Sequence, residues 1–233
     1  MISLRHTAMT LAVIGALLSG CTWSASEAPK SFSFDKTSAK AVVILSTSNH
    51  RLPSAPEDGV LDKPNSLATH WQEYDRGTLQ LVPDGEIITS VRGHNAFDRT
   101  TVRDTVVQVL EVEPSDYALI AVSNTRTVTS FFPLNESGFS SGQAVSPYSS
   151  GLAMKGGQVD PKKHFHFSVE AGQIIYIGHF DFLHPGGGNH RIVDVAYSLN
   201  EAEARAALRH YPGVQGEIIS LNLKLPTDQA ALQ

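Results

Sequence analysis

Short runs of β-branched and aromatic residues recur between turn residues from residue 31 to the end of the chain. This spacing is typical of an antiparallel β-sandwich rather than of alternating strands and helices. The unbroken apolar run from Ala41 to Leu45 predicts a central strand that is covered on both faces. We therefore expect a mainly β protein that folds as one β-sandwich domain over residues 31–233.

Turn residues define the order in which the strands are expected to pair. Pro83-Asp84-Gly85 separates two runs, and Glu113-Pro114-Ser115-Asp116 separates the next two, so we predict two successive hairpins that form a meander. In 217–225 every second residue from Ile219 is apolar, which predicts a half-buried strand. The full set of predicted strands is 40–46, 79–81, 86–91, 105–112, 117–122, 127–132, 164–169, 173–182, 191–197 and 217–225.

One segment, 201–210, has the pattern of a short helix. Asn200 is in the N-cap position, Glu203 is placed to complete a capping box, and basic side chains occupy the C-terminal end. Two stretches, 50–66 and 134–163, lack a strand pattern, and we predict that both are long loops.

The amino terminus has the pattern of a secretory leader. Residues 1–20 carry Arg5 and then an uncharged 14-residue stretch from Thr7 to Gly20. At about 1.5 Å per residue, that stretch covers roughly 21 Å as a helix, which is short of the ~30 Å hydrocarbon core of a bilayer. A cleaved leader is therefore favoured over a permanent span.

The leader ends in Leu18-Ser19-Gly20-Cys21, and Cys21 is the only cysteine of the chain. This ending resembles the lipobox of bacterial lipoprotein precursors, in which the cysteine is acylated and becomes the first residue. The resemblance implies a lipid anchor at Cys21 with a tether over residues 21–30, and several acyl chains would hold the protein at a membrane. Thr22 after the cysteine implies the outer membrane in this class.

Two segments of the body, 110–119 and 169–178, are similar to segments of small bacterial lipoproteins of unknown function. The similarity implies a lipid-anchored domain of the bacterial envelope that faces the periplasm, and it supplies no catalytic residue. The membrane is then the first partner. Other envelope proteins are expected at an exposed sheet edge or at the loop of residues 134–163.

The charge pattern argues against a nucleic-acid partner. Eighteen Lys and Arg stand against 23 Asp and Glu, for a formal net charge of −5. The basic residues are scattered, with only Lys162 and Lys163 adjacent, whereas a polyanion binder clusters them on one face.

Five of the ten histidines fall between residues 164 and 190, and imidazole binds zinc and copper. A two-residue loop at Ala171-Gly172 would pair His164 with His179 and bring His166 near, so that three ligands converge. A three-residue loop with Gly172 in the left-handed region would instead place His164 opposite Gly178 and weaken the site. The alternatives are thus a zinc or copper site and solvated histidines, with His184 and His190 on a further loop. The β-sandwich itself needs no cofactor.

Gly138-Phe139-Ser140-Ser141-Gly142 matches the G-x-S-x-G motif of serine hydrolases, which needs a strand before the serine and a helix after it. Pro133 and Pro147 interrupt both elements, so the motif favours a loop.

We expect a non-catalytic binding or structural module. The alternatives are a periplasmic metal-binding protein that uses His164, His166 and His179, and a hydrolase that uses Ser140.

Overall fold

The computed structural model describes residues 28–51, 66–93, 105–129, 141–148, 157–184 and 194–223. They form two β-sheets and one helix, so the prediction of a mainly β, sandwich-like fold with one short helix is confirmed. Within this described part, no helix is long and apolar enough to span a membrane. The elements in chain order are β1 (Ala41–Arg51), β2 (Ser66–Asp75), β3 (Gln80–Leu81), β4 (Ile87–Gly93), β5 (Thr105–Val112), β6 (Ser115–Thr129), β7 (Ser141–Tyr148), β8 (His166–Val169), β9 (Ile174–His184), β10 (Asp194–Ser198), α1 (Glu201–Leu208) and β11 (Ile218–Ser220).

The first sheet has the order β10-β9-β1-β5, with β11 beside β9. β1 is antiparallel to β5 but parallel to β9, so the sheet is mixed. All residues from Ala41 to Leu45 are at most 1% exposed, which confirms the predicted central strand. Strands that pair in parallel are usually buried on both faces, and β1 is buried in this way.

The second sheet has the order β3-β2-β6-β7, with β4 also on β2 and β8 also on β6. All of its pairs are antiparallel. The sequence prediction missed β2, although Leu67, Thr69 and Trp71 alternate on it and are all at most 2% exposed. Thr69 breaks the apolar pattern, and its hydroxyl accepts a hydrogen bond from Trp71 Nε1 at 3.1 Å.

The main core lies between the two sheets and is rich in aromatic rings. The ring of Trp71 meets those of Phe167 and Phe180 edge to face, with centroid distances of 5.3 and 5.6 Å. A second apolar cluster covers the outer face of the first sheet, where Ile44 and Tyr176 pack with Ala204 of α1. The helix therefore shields the outer face of β1 and β9.

Both predicted hairpins are wrong. β3 and β4 pair with β2 rather than with each other, and residues 82–86 form a bulge opposite Glu73. β5 and β6 belong to different sheets, so the chain crosses the sandwich at Glu113-Pro114. The hydroxyl of Tyr117 donates toward the carbonyl oxygen of Glu113 at 2.8 Å and toward Glu86, which fixes this corner.

Several predicted boundaries also need correction. Ala28 is buried and its N–H donates to the carbonyl oxygen of Val109 at 2.9 Å, so the fold includes residues that were predicted to be tether. β7 lies within the predicted 134–163 loop, and the predicted strand 117–122 and the described part of the predicted strand 127–132 both belong to β6. In β11 Ile218 is buried and Ile219 is 42% exposed, against the predicted alternation, whereas Leu221 and Leu223 pack on the main core as predicted.

The predicted helix is present as α1, but the predicted capping box is absent. The side chain of Asn200 makes no hydrogen bond to the helix backbone. Its Nδ2 instead donates to Oε1 of Glu203 at 2.8 Å. The other carboxylate oxygen of Glu203 is thereby directed to the first sheet.

Candidate functional site

The predicted three-histidine site is not formed, because β8 and β9 are not neighbours. β8 pairs with β6 in the second sheet and β9 pairs with β1 in the first. The turn at Glu170–Gln173 carries the chain from one sheet to the other, with Gly172 at φ +73°. Both predicted registers, His164 opposite His179 and His164 opposite Gly178, are therefore wrong.

Strand alternation places His166 and His179 on opposite outer faces of the sandwich. His166 alternates with the core residues Phe165 and Phe167, and His179 precedes the core residue Phe180. His164 is buried, accepts a hydrogen bond from the N–H of Asp160 at 2.8 Å, and has its pKa lowered by burial. Among the described residues, no group of three or more His, Cys, Asp or Glu side chains is arranged to hold a metal ion.

A bulge at Gly178 decides which way His179 faces. Ile44 pairs with Tyr176 and Ser46 pairs with His179, so β9 carries one residue more than β1 over this stretch. Ile175 and Ile177 face the core before the bulge, and Phe180 and Phe182 face it afterwards. Without the extra residue, His179 would point into the core. With it, His179 and Asp181 lie on the face covered by α1.

Gly178 is required at this bulge for two reasons. Its φ of +101° is a conformation that L side chains rarely adopt. A Cβ atom there would also overlap the ring of Tyr197. The glycine thus fixes the position of His179 relative to β1.

Polar side chains meet on this outer face and form what we name the His179 network. The hydroxyl of Ser46 lies 2.7 Å from Nδ1 of His179 and donates to Oε2 of Glu203 at 3.0 Å. The hydroxyl of Ser48 lies 2.8 Å from Nε2 of the same ring and donates to Oδ1 of Asp181 at 2.7 Å. The members of the network are Ser46, Ser48, His50, His179, Asp181 and Glu203.

The network joins α1 to the sheet and extends to the surface. Glu203 of α1 is 31% exposed and its Oε2 lies 3.6 Å from Nδ1 of His179, which is 16% exposed. At the other end, Nδ1 of His50 lies 2.6 Å from Oδ1 of Asp181, and the His50 side chain is 45% exposed. Tyr176 lies on the same face, and burial raises the pKa of its hydroxyl.

Each serine hydroxyl has a single proton to donate, and Ser46 and Ser48 each lie between a carboxylate and a nitrogen of the same imidazole ring. The donor and the acceptor in each serine–histidine contact are set by the tautomer of His179.

The pair Ser48 and His179 has the distance of a nucleophile and its base, but the surroundings do not fit catalysis. Ser46 and Ser48 are both 0% exposed. β1 is paired along both edges here, so its backbone N–H groups are engaged in the sheet rather than free to stabilise an oxyanion. The geometry fits a structural role in which the network holds α1 against the first sheet.

Five of the six network members were not predicted from the sequence. The signal that was available is a period of two, in Ser46-x-Ser48-x-His50 on one strand and His179-x-Asp181 on another. Nothing in the sequence shows that these two strands are parallel neighbours.

The other predicted site residues, Cys21 and Ser140, lie outside the described part of the chain. The same is true of His190 and of the side chain of His184. Beside Ser140, however, β7 begins at Ser141, so a strand follows the serine where the hydrolase motif needs a helix.

No family model, no curated protein and no solved structure matches this chain. The function therefore has to be argued from its own residues.

Proposed function

We propose that the protein is a lipid-anchored lipoprotein of the bacterial envelope whose β-sandwich serves as a non-catalytic binding or structural module. The observation that carries the proposal is the ending Leu18-Ser19-Gly20-Cys21 after an apolar leader, with Cys21 the only cysteine. A single cysteine has no partner for an internal disulfide, and here it stands where this class of precursor is acylated.

The beginning of the fold supports a short tether. Since Ala28 is already buried, six residues separate it from Cys21. The seven steps from Cys21 to Ala28, at about 3.5 Å each, reach roughly 25 Å at most. An anchor at Cys21 would thus keep the sandwich close to the membrane surface.

The proposed location is the outer membrane with the sandwich in the periplasm, because Thr22 rather than Asp follows the cysteine. The partners proposed are the membrane itself and other envelope proteins, and no nucleic acid. The non-catalytic role is supported by the burial of Ser46 and Ser48 beside His179.

Anchoring can be tested by comparing Cys21→Ser with the matched variant Ser19→Ala, which keeps a small residue two positions before the cysteine. Cells are fed a clickable palmitate analogue, and the label and the protein are followed through membrane and soluble fractions. We expect Cys21→Ser to lose the label and to leave the membrane fraction, whereas Ser19→Ala keeps both. A Cys21→Ser protein that is still acylated would contradict the proposal.

A further inference from the structure

One short segment, which we name the 157–164 strap, lies against the outer face of the second sheet. Val159 is 0% exposed and packs with Tyr74 and Ala118. Its N–H donates to the carbonyl oxygen of Leu79 at 2.7 Å. Ala118 alternates on β6 with residues of the main core, so this small apolar cluster lies on the outside of the sandwich.

After Val159 the strap makes a tight turn that closes on the ring of His164. The carbonyl oxygen of Asp160 accepts from the N–H groups of Lys163 and His164, both at 2.9 Å. The N–H of Asp160 donates to Nδ1 of His164 at 2.8 Å. His164 is buried, whereas Lys162 and Lys163 are exposed. A buried imidazole therefore holds together a turn whose middle faces water.

The contact requires that Nδ1 of His164 carries no proton. A backbone N–H can only donate, so Nδ1 has to accept. A proton on Nδ1 would point at the N–H of Asp160 and leave that donor without its acceptor. The carbonyl oxygen of Asp160 is also 3.0 Å from Nδ1, but its two lone pairs already accept two N–H groups. Protonation of the ring therefore weakens the turn.

The surroundings of His164 also disfavour its protonated form. Burial has the largest effect and lowers the pKa of the ring, whereas the carbonyl oxygen and the carboxylate of Asp160 raise it. Lys163 and His166 are the other groups whose charge acts on the ring, and both lower its pKa. The result lies below the ordinary value of 6.5, so a ring in water binds a proton more readily than the ring of the closed strap. Closure is therefore fully favoured above about pH 6.5 and loses this contribution as the pH falls toward the lower pKa of the closed form.

We propose that the 157–164 strap is a pH-sensitive device that opens locally when His164 binds a proton, while the two sheets stay folded. The main core, as far as the structure describes it, contains no residue of the strap. Phe165, which follows the strap, lies in that core, and its carbonyl oxygen accepts from the N–H of Leu119 at 2.9 Å. Opening therefore stops before Phe165, and it uncovers Tyr74 and Ala118 on the outer face.

Hydrogen exchange of the full-length protein, followed by mass spectrometry at pH 7.5, 6.5 and 5.5, tests this proposal. The rates are converted to protection factors, because intrinsic amide exchange itself depends on pH. We expect the protection of peptides that cover 157–164 to fall by about threefold or more from pH 7.5 to pH 5.5, while β1 stays protected throughout. Equal loss of protection in β1 would show unfolding of the whole sandwich and overturn a local opening.

His164→Gln keeps an acceptor, Oε1, that is not protonated in this pH range, so its strap should have the same protection at all three pH values. His166→Gln is the matched control, because Nδ1 of His166 contacts only the carbonyl oxygen of His164, at 3.0 Å, and not the turn. We expect it to keep the loss of protection seen in the wild type. A loss that persists in His164→Gln, or that is absent from the wild type, contradicts the proposal.

The wild type supplies a second measurement if His164→Gln does not fold. The imidazole of His164 is titrated by NMR, and its protonation has to cover the same pH range as the loss of protection in the strap. Protonation in a separate range would overturn the proposal. None of these outcomes bears on the acylation test at Cys21.

Discussion

Oγ of Ser46 lies 2.7 Å from Nδ1 of His179, although 133 positions separate the two residues in the sequence. Two features of the backbone produce this contact. β1 and β9 are parallel neighbours, and the bulge at Gly178 turns His179 from the core to the face of α1. The contact therefore depends on one glycine and one strand pairing, and each can be tested by substitution.

Replacement of Gly178 by alanine should destabilise the protein strongly. Alanine at a φ of +101° costs about 1–3 kcal/mol in backbone strain, and the ring of Tyr197 must also move. Urea unfolding followed by circular dichroism measures the change in the free energy of unfolding. Gly77→Ala is the control, because Gly77 lies in an exposed turn without a positive φ. Equal losses in the two variants would contradict the role assigned to the bulge.

Ser46→Ala should cost about 1–2 kcal/mol, because it removes a buried hydroxyl that joins His179 to Glu203. A double-mutant cycle with Glu203→Gln isolates the part of this cost that belongs to the Ser46–Glu203 contact. We expect the free energies of unfolding to be non-additive by more than about 0.5 kcal/mol. Ser33→Ala, at an exposed serine, should change stability by less than this amount. Additive losses would show that α1 is held by its apolar face alone.

The sequence predicted the elements whose signal is local. The run from Ala41 to Leu45 is apolar at every position, as expected of a strand that is covered on both faces, and α1 has a helical pattern between turn residues. The sequence could not identify β2, because Thr69 occupies a core position and its hydroxyl accepts a hydrogen bond from Trp71, two residues further along the same strand.

Strand pairing could not be predicted from the sequence, because the same turn residues occur in different kinds of connection. Glu113-Pro114 predicts a hairpin by composition, yet here it carries the chain between sheets, and Tyr117 holds that corner. The same ambiguity at Ala171-Gly172 produced the incorrect histidine site. A turn signal gives the place of a reversal but not the sheet that the next strand joins.

Stability should fall on acidification partly through His164. Burial lowers the pKa of this histidine below its ordinary value of 6.5, so the unfolded chain binds a proton near pH 6.5 that the folded protein does not. The contribution to stability is therefore complete above about pH 6.5 and is lost as the pH falls from there toward the lower folded pKa. Thermal midpoints at pH 7.5 and pH 5.5 should differ less in His164→Gln than in the wild type.

His70 is the matched comparison for that measurement, because burial lowers its pKa as well. We expect His70→Gln to reduce the acid sensitivity in the same direction as His164→Gln. If acid sensitivity is the same in the wild type and in both variants, burial of these imidazoles does not contribute to it.

Tyr117→Phe should weaken the corner between β5 and β6. The residue is 0% exposed, and its hydroxyl is within hydrogen-bond distance of Glu86 and of the carbonyl oxygen of Glu113. Loss of a hydrogen bond to a charged group costs about 1.5–3 kcal/mol, and for a domain of this size each kcal/mol lowers the thermal midpoint by roughly 2–4 °C. Differential scanning calorimetry measures this shift. The aromatic ring stays stacked on Phe167 in the variant, so a midpoint within 1 °C of the wild type would show that the ring, and not the hydroxyl, holds the corner.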